Sequence, residues 1–209
     1  MRLPKTVQAT SSHATQTQAD SLAASEVLNA LFVGGSLTQT VWQIGGKDSA
    51  YVGRLDVDSS SWAWQRHFIA PGDTMHTITA LALDDGGTKL ACYGYDSPLV
   101  DDTSRVGFLF VLDPATGATV SGVMRLDMVS DGYRVTSAGF LVESDGGVYM
   151  AFNQFMPTVV TVEQTPFLAK WDSTTNTMTY FKRGYKDAVQ LYYSSVTASL
   201  AKGSGTLAN

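Results

Sequence analysis

The chain has 209 residues, a net charge of −5, and 16% charged against 44% hydrophobic residues. That length buries one sizeable core, and its polarity comes from Ser, Thr, Gln, Asn and Gly more than from ions. The 14 Lys and Arg are dispersed, which excludes nucleic acid as an expected partner, because phosphate binding needs clustered cations. No apolar run reaches the ~18 residues of a membrane span, and residues 1–5 (MRLPK) carry no secretion-signal apolar segment.

In chain order, residues 1–27 read as an N-terminal tail or linker. Residues 5–19 are rich in Thr, Gln and Ser and lack Gly. Residues 20–31 are expected to form a short helix, with Asp20 or Ser21 as N-cap. Residues 28–209 read as a repeat domain, with a partial first copy at Leu31-Phe32-Val33-Gly34-Gly35-Ser36.

Two patterns then alternate. The first is an apolar strand, a turn opened by Asp and a second strand, at residues 51–62 (YVGRLDVDSSSW), 108–119 (FLFVLDPATGAT) and 167–177 (FLAKWDSTTNT). Its aspartates, Asp56, Asp113 and Asp172, are 57 and 59 positions apart. Asp opens such turns because its carboxylate accepts N–H groups two or three residues on.

The second pattern pairs strands around a Gly turn, at residues 78–91 (ITALALDDGGTKLA), 137–151 (SAGFLVESDGGVYMA) and 196–208 (VTASLAKGSGTLA). Asp-Gly-Gly between apolar runs is a hairpin signal, since Gly accepts φ > 0 without steric cost. Gly86-Gly87 and Gly146-Gly147 are therefore expected at hairpin tips. Leu90, Met150 and Leu207 are expected at equivalent buried positions, with Phe110 and Phe140 buried beside them. The small Ala91, Gly94 and Ala151 suit strands crowded near a common axis. Cys92 is the lone cysteine. It forms no intramolecular disulfide and reads as a packed thiol.

Two hairpins per period make four short strands, the content of one propeller blade. Such a unit cannot bury both its faces alone, so neighbours must stack. The expected fold is all-β: β-propeller-like repeats of four-stranded antiparallel units, about three periods. The alternative is a β-sandwich of meandering hairpins, which does not itself require a fixed period.

The alternation of F-x-x-K-L-D-x-x-[ST]-G with A-x-x-x-D-G-G-x-[VL]-[YL]-[VA]-x-G resembles the seven-bladed-propeller-type repeats of bacterial and protist surface proteins, the SBBP-like group. The resemblance spans residues 28–209. Trp171 departs from it in place of Leu, and Lys202-Gly203-Ser204-Gly205 in place of Asp-Gly-Gly. Its motifs are turn chemistry and apolar alternation. They imply an architecture and carry no family active site.

No residue set points to catalysis. The adjacent pairs Asp84/Asp85 and Asp101/Asp102 have the composition of a glycosidase acid and base, but the first pair sits in a repeated hairpin turn and the second in a loop. Asp56-x-Asp58-x-Ser60 begins like a calcium loop, yet Ser61 replaces its glycine and His67 its acidic last ligand. His67 and His76 have no Cys or acidic companion for zinc. No P-loop, GxSxG, HExxH or CxxC occurs. Catalytic, cofactor-binding and metal residues are accordingly none. The candidates for ligand or partner contact are the aromatic residues Trp62, Trp64 and Tyr192. A period of two would set Trp62, Trp64 and Phe68 on one strand face, with His67 opposite.

The function read from these features is a non-enzymatic structural or interaction module of an extracellular or cell-surface assembly, such as a filament subunit. Its partner would be protein, through self-association by strand addition or by the N-terminal tail. The chain begins and ends out of phase with its repeat, so an incomplete repeat domain is expected. The runner-up is a propeller-type enzyme or lectin-like module for polysaccharide, with its site in residues 98–105 or 156–165.

Overall fold

Apolar alternation interrupted by Asp, Asn and Gly turns gives strands as the only regular elements among the described residues. The computed structural model describes residues 14–39, 47–68, 75–96, 107–126, 134–143, 145–157 and 162–183. The elements are β1 (Ala14–Ser25), β2 (Ala30–Gln39), β3 (Lys47–Asp56), β4 (Ser61–Phe68), β5 (Met75–Leu83), β6 (Leu90–Asp96), β7 (Gly107–Leu112), β8 (Met124–Leu126), β9 (Arg134–Val142), β10 (Gly147–Pro157), β11 (Val162–Asp172) and β12 (Thr177–Arg183). They form three four-stranded sheets in chain order, β1–β4, β5–β8 and β9–β12. All pairings are antiparallel between chain neighbours. We call these sheets 1, 2 and 3.

The turns behave as their side chains dictate. Asp113 Oδ1 accepts the N–H of Ala115 at 2.7 Å and of Thr116 at 3.4 Å. Asp172 Oδ1 accepts those of Thr174 at 2.8 Å and Thr175 at 3.3 Å. These bonds favour the ionised carboxylate and hold the Asp172 pKa below its ordinary value. Four residues after each aspartate the backbone turns left-handed, at Gly117 (φ 72°) and Asn176 (φ 54°). Ser60 does the same at φ 51°, although Asp56 turns its carboxylate to Arg54 at 2.9 Å instead of to the turn. The Gly pairs lie at hairpin turns as the sequence places them: Gly86-Gly87 between β5 and β6, and Gly146 between β9 and β10 with Gly147 opening β10. Gly87 (φ 64°) and Gly146 (φ 104°) take the positive φ that a side chain would oppose.

Three expectations need correction. The expected helix over residues 20–31 is instead the end of β1, a turn and the start of β2. Ser25 Oγ accepts the Leu28 N–H at 3.2 Å and Asn29 is left-handed at φ 46°, so this is the same turn with Ser in place of Asp. Residues 14–25, read as tail, therefore belong to sheet 1. They are tied to sheet 2 by Ser21 Oγ donating to Ile78 O at 3.2 Å, and by Thr77 Oγ1 donating to the Asp20 carboxylate.

The third correction is one of register. Leu55, Leu112 and Trp171 each precede the turn aspartate and pair with Leu31, Leu90 and Val148. Val148, not Met150, is therefore the equivalent of Leu90, and Met150 matches Cys92. The cause is that Thr88 and Lys89 separate Gly87 from Leu90, whereas Val148 follows Gly147 directly; Leu83 pairs with Leu90 and Val142 with Val148. Leu90, Met150 and Phe110 are buried as expected. Leu207 lies outside the described residues, as does the Phe140 side chain.

Packing follows the period of two. In sheet 2, Leu90, Cys92, Phe108, Phe110 and Leu112 join Ala30, Phe32, Ala50 and Val52 of sheet 1 in one core. The intervening Ala91, Tyr93, Leu109 and Val111 join Val148, Met150, Ala169 and Trp171 of sheet 3 in another. Every residue of β7 is buried, so the middle sheet is covered on both faces and the described residues form three layers, not the two of a sandwich. Each buried Leu, Val or Phe contributes about 1.5–3 kcal/mol by leaving water. Gly94 allows β5 to pass close: a Cβ there would lie 2.3 Å from Thr77 O. Below, the front of a sheet faces the sheet before it in the chain, and the back faces the sheet after it.

Candidate functional site

The aromatic candidates do not share a face. In β3–β4, Arg54 pairs with Trp64 but Leu55 pairs with Trp62, so a bulge at Ala63 breaks the alternation. Trp62 turns to the front, where a Cβ on Gly53 would lie 2.7 Å from its ring. Trp64 turns to the back and packs on the core between sheets 1 and 2. Phe68 follows it there, with its ring 4.8 Å from Phe110. His67 pairs with Tyr51, so it shares the front with Trp62 and opposes Trp64 and Phe68. Burial lowers the His67 pKa and raises that of Tyr51, the latter aided by the Asp20 charge. Tyr192 lies outside the described residues.

What the structure assembles around Trp64 is a clasp. Trp64 Nε1 donates to Pro114 O at 3.1 Å, and Arg54 Nη1 reaches the same carbonyl at 3.4 Å. Arg66 donates to Gly117 O and, at 3.1 Å, to Thr119 Oγ1. The Trp64 ring lies where a Cβ on Gly117 would be, 2.8 Å away. Two cations and an indole on β3 and β4 of sheet 1 thus grip the left-handed turn of sheet 2. A lighter contact repeats one sheet on. A Cβ on Gly122 would lie 2.7 Å from the side chain of Asn176, the left-handed residue of sheet 3.

The other sequence candidates sit in structural roles. Asp84 is 4% exposed and its carboxylate accepts Thr88 N, Lys89 N and Thr88 Oγ1, each at 2.7 Å. Asp85 is exposed beside it. Asp56 is bound to Arg54 and Asp58 is exposed. His76 stacks on Tyr95 with ring centroids 6.1 Å apart. Among the described residues, no group of three His, Cys, Asp or Glu could hold a metal ion. No helix among them is long and apolar enough to cross a membrane. Asp101/Asp102 and residues 98–105 fall outside the description, as do 158–161. Cys92 is buried, and burial raises its thiol pKa well above the ordinary value, against the opposing pull of Arg66.

Arg54 and Arg66 escaped the sequence reading. Their signal was a cation on each side of Trp64 in strand register, but their partners lie 50 to 60 residues away. Sheet 3 holds a further cluster. Lys170 Nζ donates to Tyr149 OH at 2.9 Å and to Glu143 at 3.1 Å, and it lies 4.6 Å above the Tyr149 ring. Those hydrogen bonds raise the Lys170 pKa.

These features define a class: stacked four-stranded antiparallel meanders joined by turn-gripping contacts. No protein-family profile and no curated protein matches the chain. Among solved structures it is similar to the endo-arabinase from Bacteroides thetaiotaomicron, at 12% identity and a TM-score of 0.46. The match covers 73% of this chain and 55% of that one, so the chain spans little more than half the length of that enzyme.

Proposed function

We propose that the chain is a non-enzymatic structural and interaction module of an extracellular or cell-surface assembly, built from propeller-type blades of the SBBP-like kind. Its work is to extend a stack of sheets by binding protein, including further copies of itself. The observation that carries this reading is the front of sheet 1. Leu31 and Val33 stand where sheet 2 has Leu90 and Cys92 and sheet 3 has Val148 and Met150. Those four are fully buried by a preceding sheet, whereas Leu31 and Val33 are half-buried. Leu22, opposite Val33, is 64% exposed. Leu37, Tyr51 and Leu55 on the same face are buried, so its open part is the strip of Leu22, Leu31 and Val33, an apolar patch for a partner.

Sedimentation velocity across the micromolar range tests this. The expected result is mass rising with concentration, with Leu22→Glu weakening association about tenfold, or roughly 1.4 kcal/mol, while leaving the fold intact. A single 22.4 kDa species at every concentration refutes the reading. Retention on immobilised polysaccharide by such a monomer would favour the lectin-like or enzymatic alternative in its place.

A further inference from the structure

Sheet 1 has an open edge. β1 ends its strand order, and among the described residues no strand pairs with its other side. The corresponding edge strand of sheet 2, β5, has no exposed residue from His76 to Leu83, whereas Gln18, Ala19, Asp20, Leu22 and Ala24 of β1 are exposed. An edge strand presents N–H and C=O groups that template a further strand, and proteins blunt such edges with Lys, Pro or a bulge. β1 carries no Lys and no Pro. It bulges at Asp20, between the pairs Ala19 with Gly35 and Ser21 with Gly34, and from there to Ser25 its ladder is regular. Ser21 to Ser25 is therefore the length of edge open to a partner.

Alternation sorts what that partner must carry. Leu22 and Ala24 face the front, paired with Val33 and Leu31. Ser21, Ala23 and Ser25 face the back. Ser21 Oγ bonds to Ile78 O, Ala23 packs on the core between sheets 1 and 2, and Ser25 Oγ lies beside the turn at Gly87. A strand added here sets alternate side chains beside Leu22 and Ala24, where apolar groups extend the strip, and the others beside the serines.

Charge decides the ends. Asp20 and Glu26 bound the segment, both are exposed, and no Lys or Arg occurs between Lys5 and Lys47. The Asp20 carboxylate is held by neutral donors, Gln18 and Thr77, so its charge stays uncompensated. A second copy of β1 fits poorly. Antiparallel about Ala23, it would set Asp20 opposite Glu26 at both ends, and like charges directly opposite destabilise a sheet.

We infer that β1 docks an extended segment of a partner protein by strand addition along Ser21 to Ser25, the segment being alternately apolar and basic at both ends. This rests on the protein-binding reading above and names the partner of its apolar strip. Backbone bonds to the edge hold the segment, its apolar side chains shield Leu22, and its basic ends meet Asp20 and Glu26.

The probe is a fluorescent seven-residue peptide in which threonine and valine alternate between terminal lysines, read by anisotropy on the full chain. It is expected to bind about tenfold more tightly than the same peptide ended by glutamates. Glu26→Lys, its fold checked by circular dichroism, is expected to narrow that difference. Backbone N-methylation separates strand addition from side-chain contact. Methylating the valines in one peptide and the threonines in another is expected to abolish binding in one and spare it in the other, because successive N–H groups of a strand point to opposite sides. Equal binding by the two methylated peptides, or a preference for glutamate ends, overturns the inference. So does a wild type that self-associates in sedimentation but binds no peptide, a result that makes a second copy the occupant and leaves the protein-binding reading intact. A chain that neither associates nor binds removes both.

Discussion

Trp171→Ala is expected to destabilise the fold by about 3–5 kcal/mol, the range for truncating a fully buried Trp. Its side chain is wholly inaccessible, in the core between sheets 2 and 3. Collapse around the lost indole is restricted, since Val148 opposite it and Val111 on the facing sheet are held by their own ladders. The change also removes the 3.2 Å hydrogen bond from Trp171 Nε1 to Asn176 Oδ1, which steadies the left-handed residue of the neighbouring turn. Urea denaturation followed by circular dichroism measures the loss. Leu168→Ala is the control: it lies on the same strand but faces the other way and is 38% exposed. A loss of under about 1 kcal/mol is expected there. Equal losses at the two positions would contradict the facing described for β11.

Asp84→Ala is expected to cost about 3 kcal/mol. The carboxylate accepts two backbone N–H groups and one hydroxyl, and a hydrogen bond to a charged group contributes about 1.5–3 kcal/mol. Removing the acceptor leaves the Thr88 and Lys89 donors of a tight turn without it. Asp85→Ala, at the exposed neighbour, is expected to stay within about 0.5 kcal/mol. The same denaturation curves decide it, and comparable losses for the two aspartates would show that the turn does not depend on Asp84.

The features legible in the sequence are those whose cause is local. Asp113 and Asp172 open their turns through bonds to residues two and three ahead, and Gly87 and Gly146 supply a left-handed backbone that only their own φ requires. Those residues give the four-stranded units and their period. β1 was hidden because its turn uses Ser25 and Asn29 in place of Asp and Gly, and residues 20–31 then read as a capped helix. The faces of Trp62 and Trp64 were hidden by the bulge at Ala63, which depends on how β3 pairs with β4. Met150 was misplaced by two positions because Thr88 and Lys89 separate Gly87 from Leu90, whereas Val148 follows Gly147 directly. The clasp was hidden for a different reason. Arg54, Trp64 and Arg66 act on main-chain carbonyls of Pro114 and Gly117, and backbone acceptors leave no trace in residue type.

The central claim is that sheet 2 is covered on both faces by its neighbours in the chain. Cysteine scanning along β7 tests this most directly. Single Cys residues would be placed at 108, 109, 110, 111 and 112 in a Cys92→Ala background and exposed to a water-soluble thiol reagent under native conditions. Phe108, Phe110 and Leu112 face sheet 1, while Leu109 and Val111 face sheet 3. The account predicts that all five thiols stay unreactive until the chain is unfolded. Reactivity that alternates along the strand, with one set labelled and the other protected, would mean that only one face is covered and would contradict it.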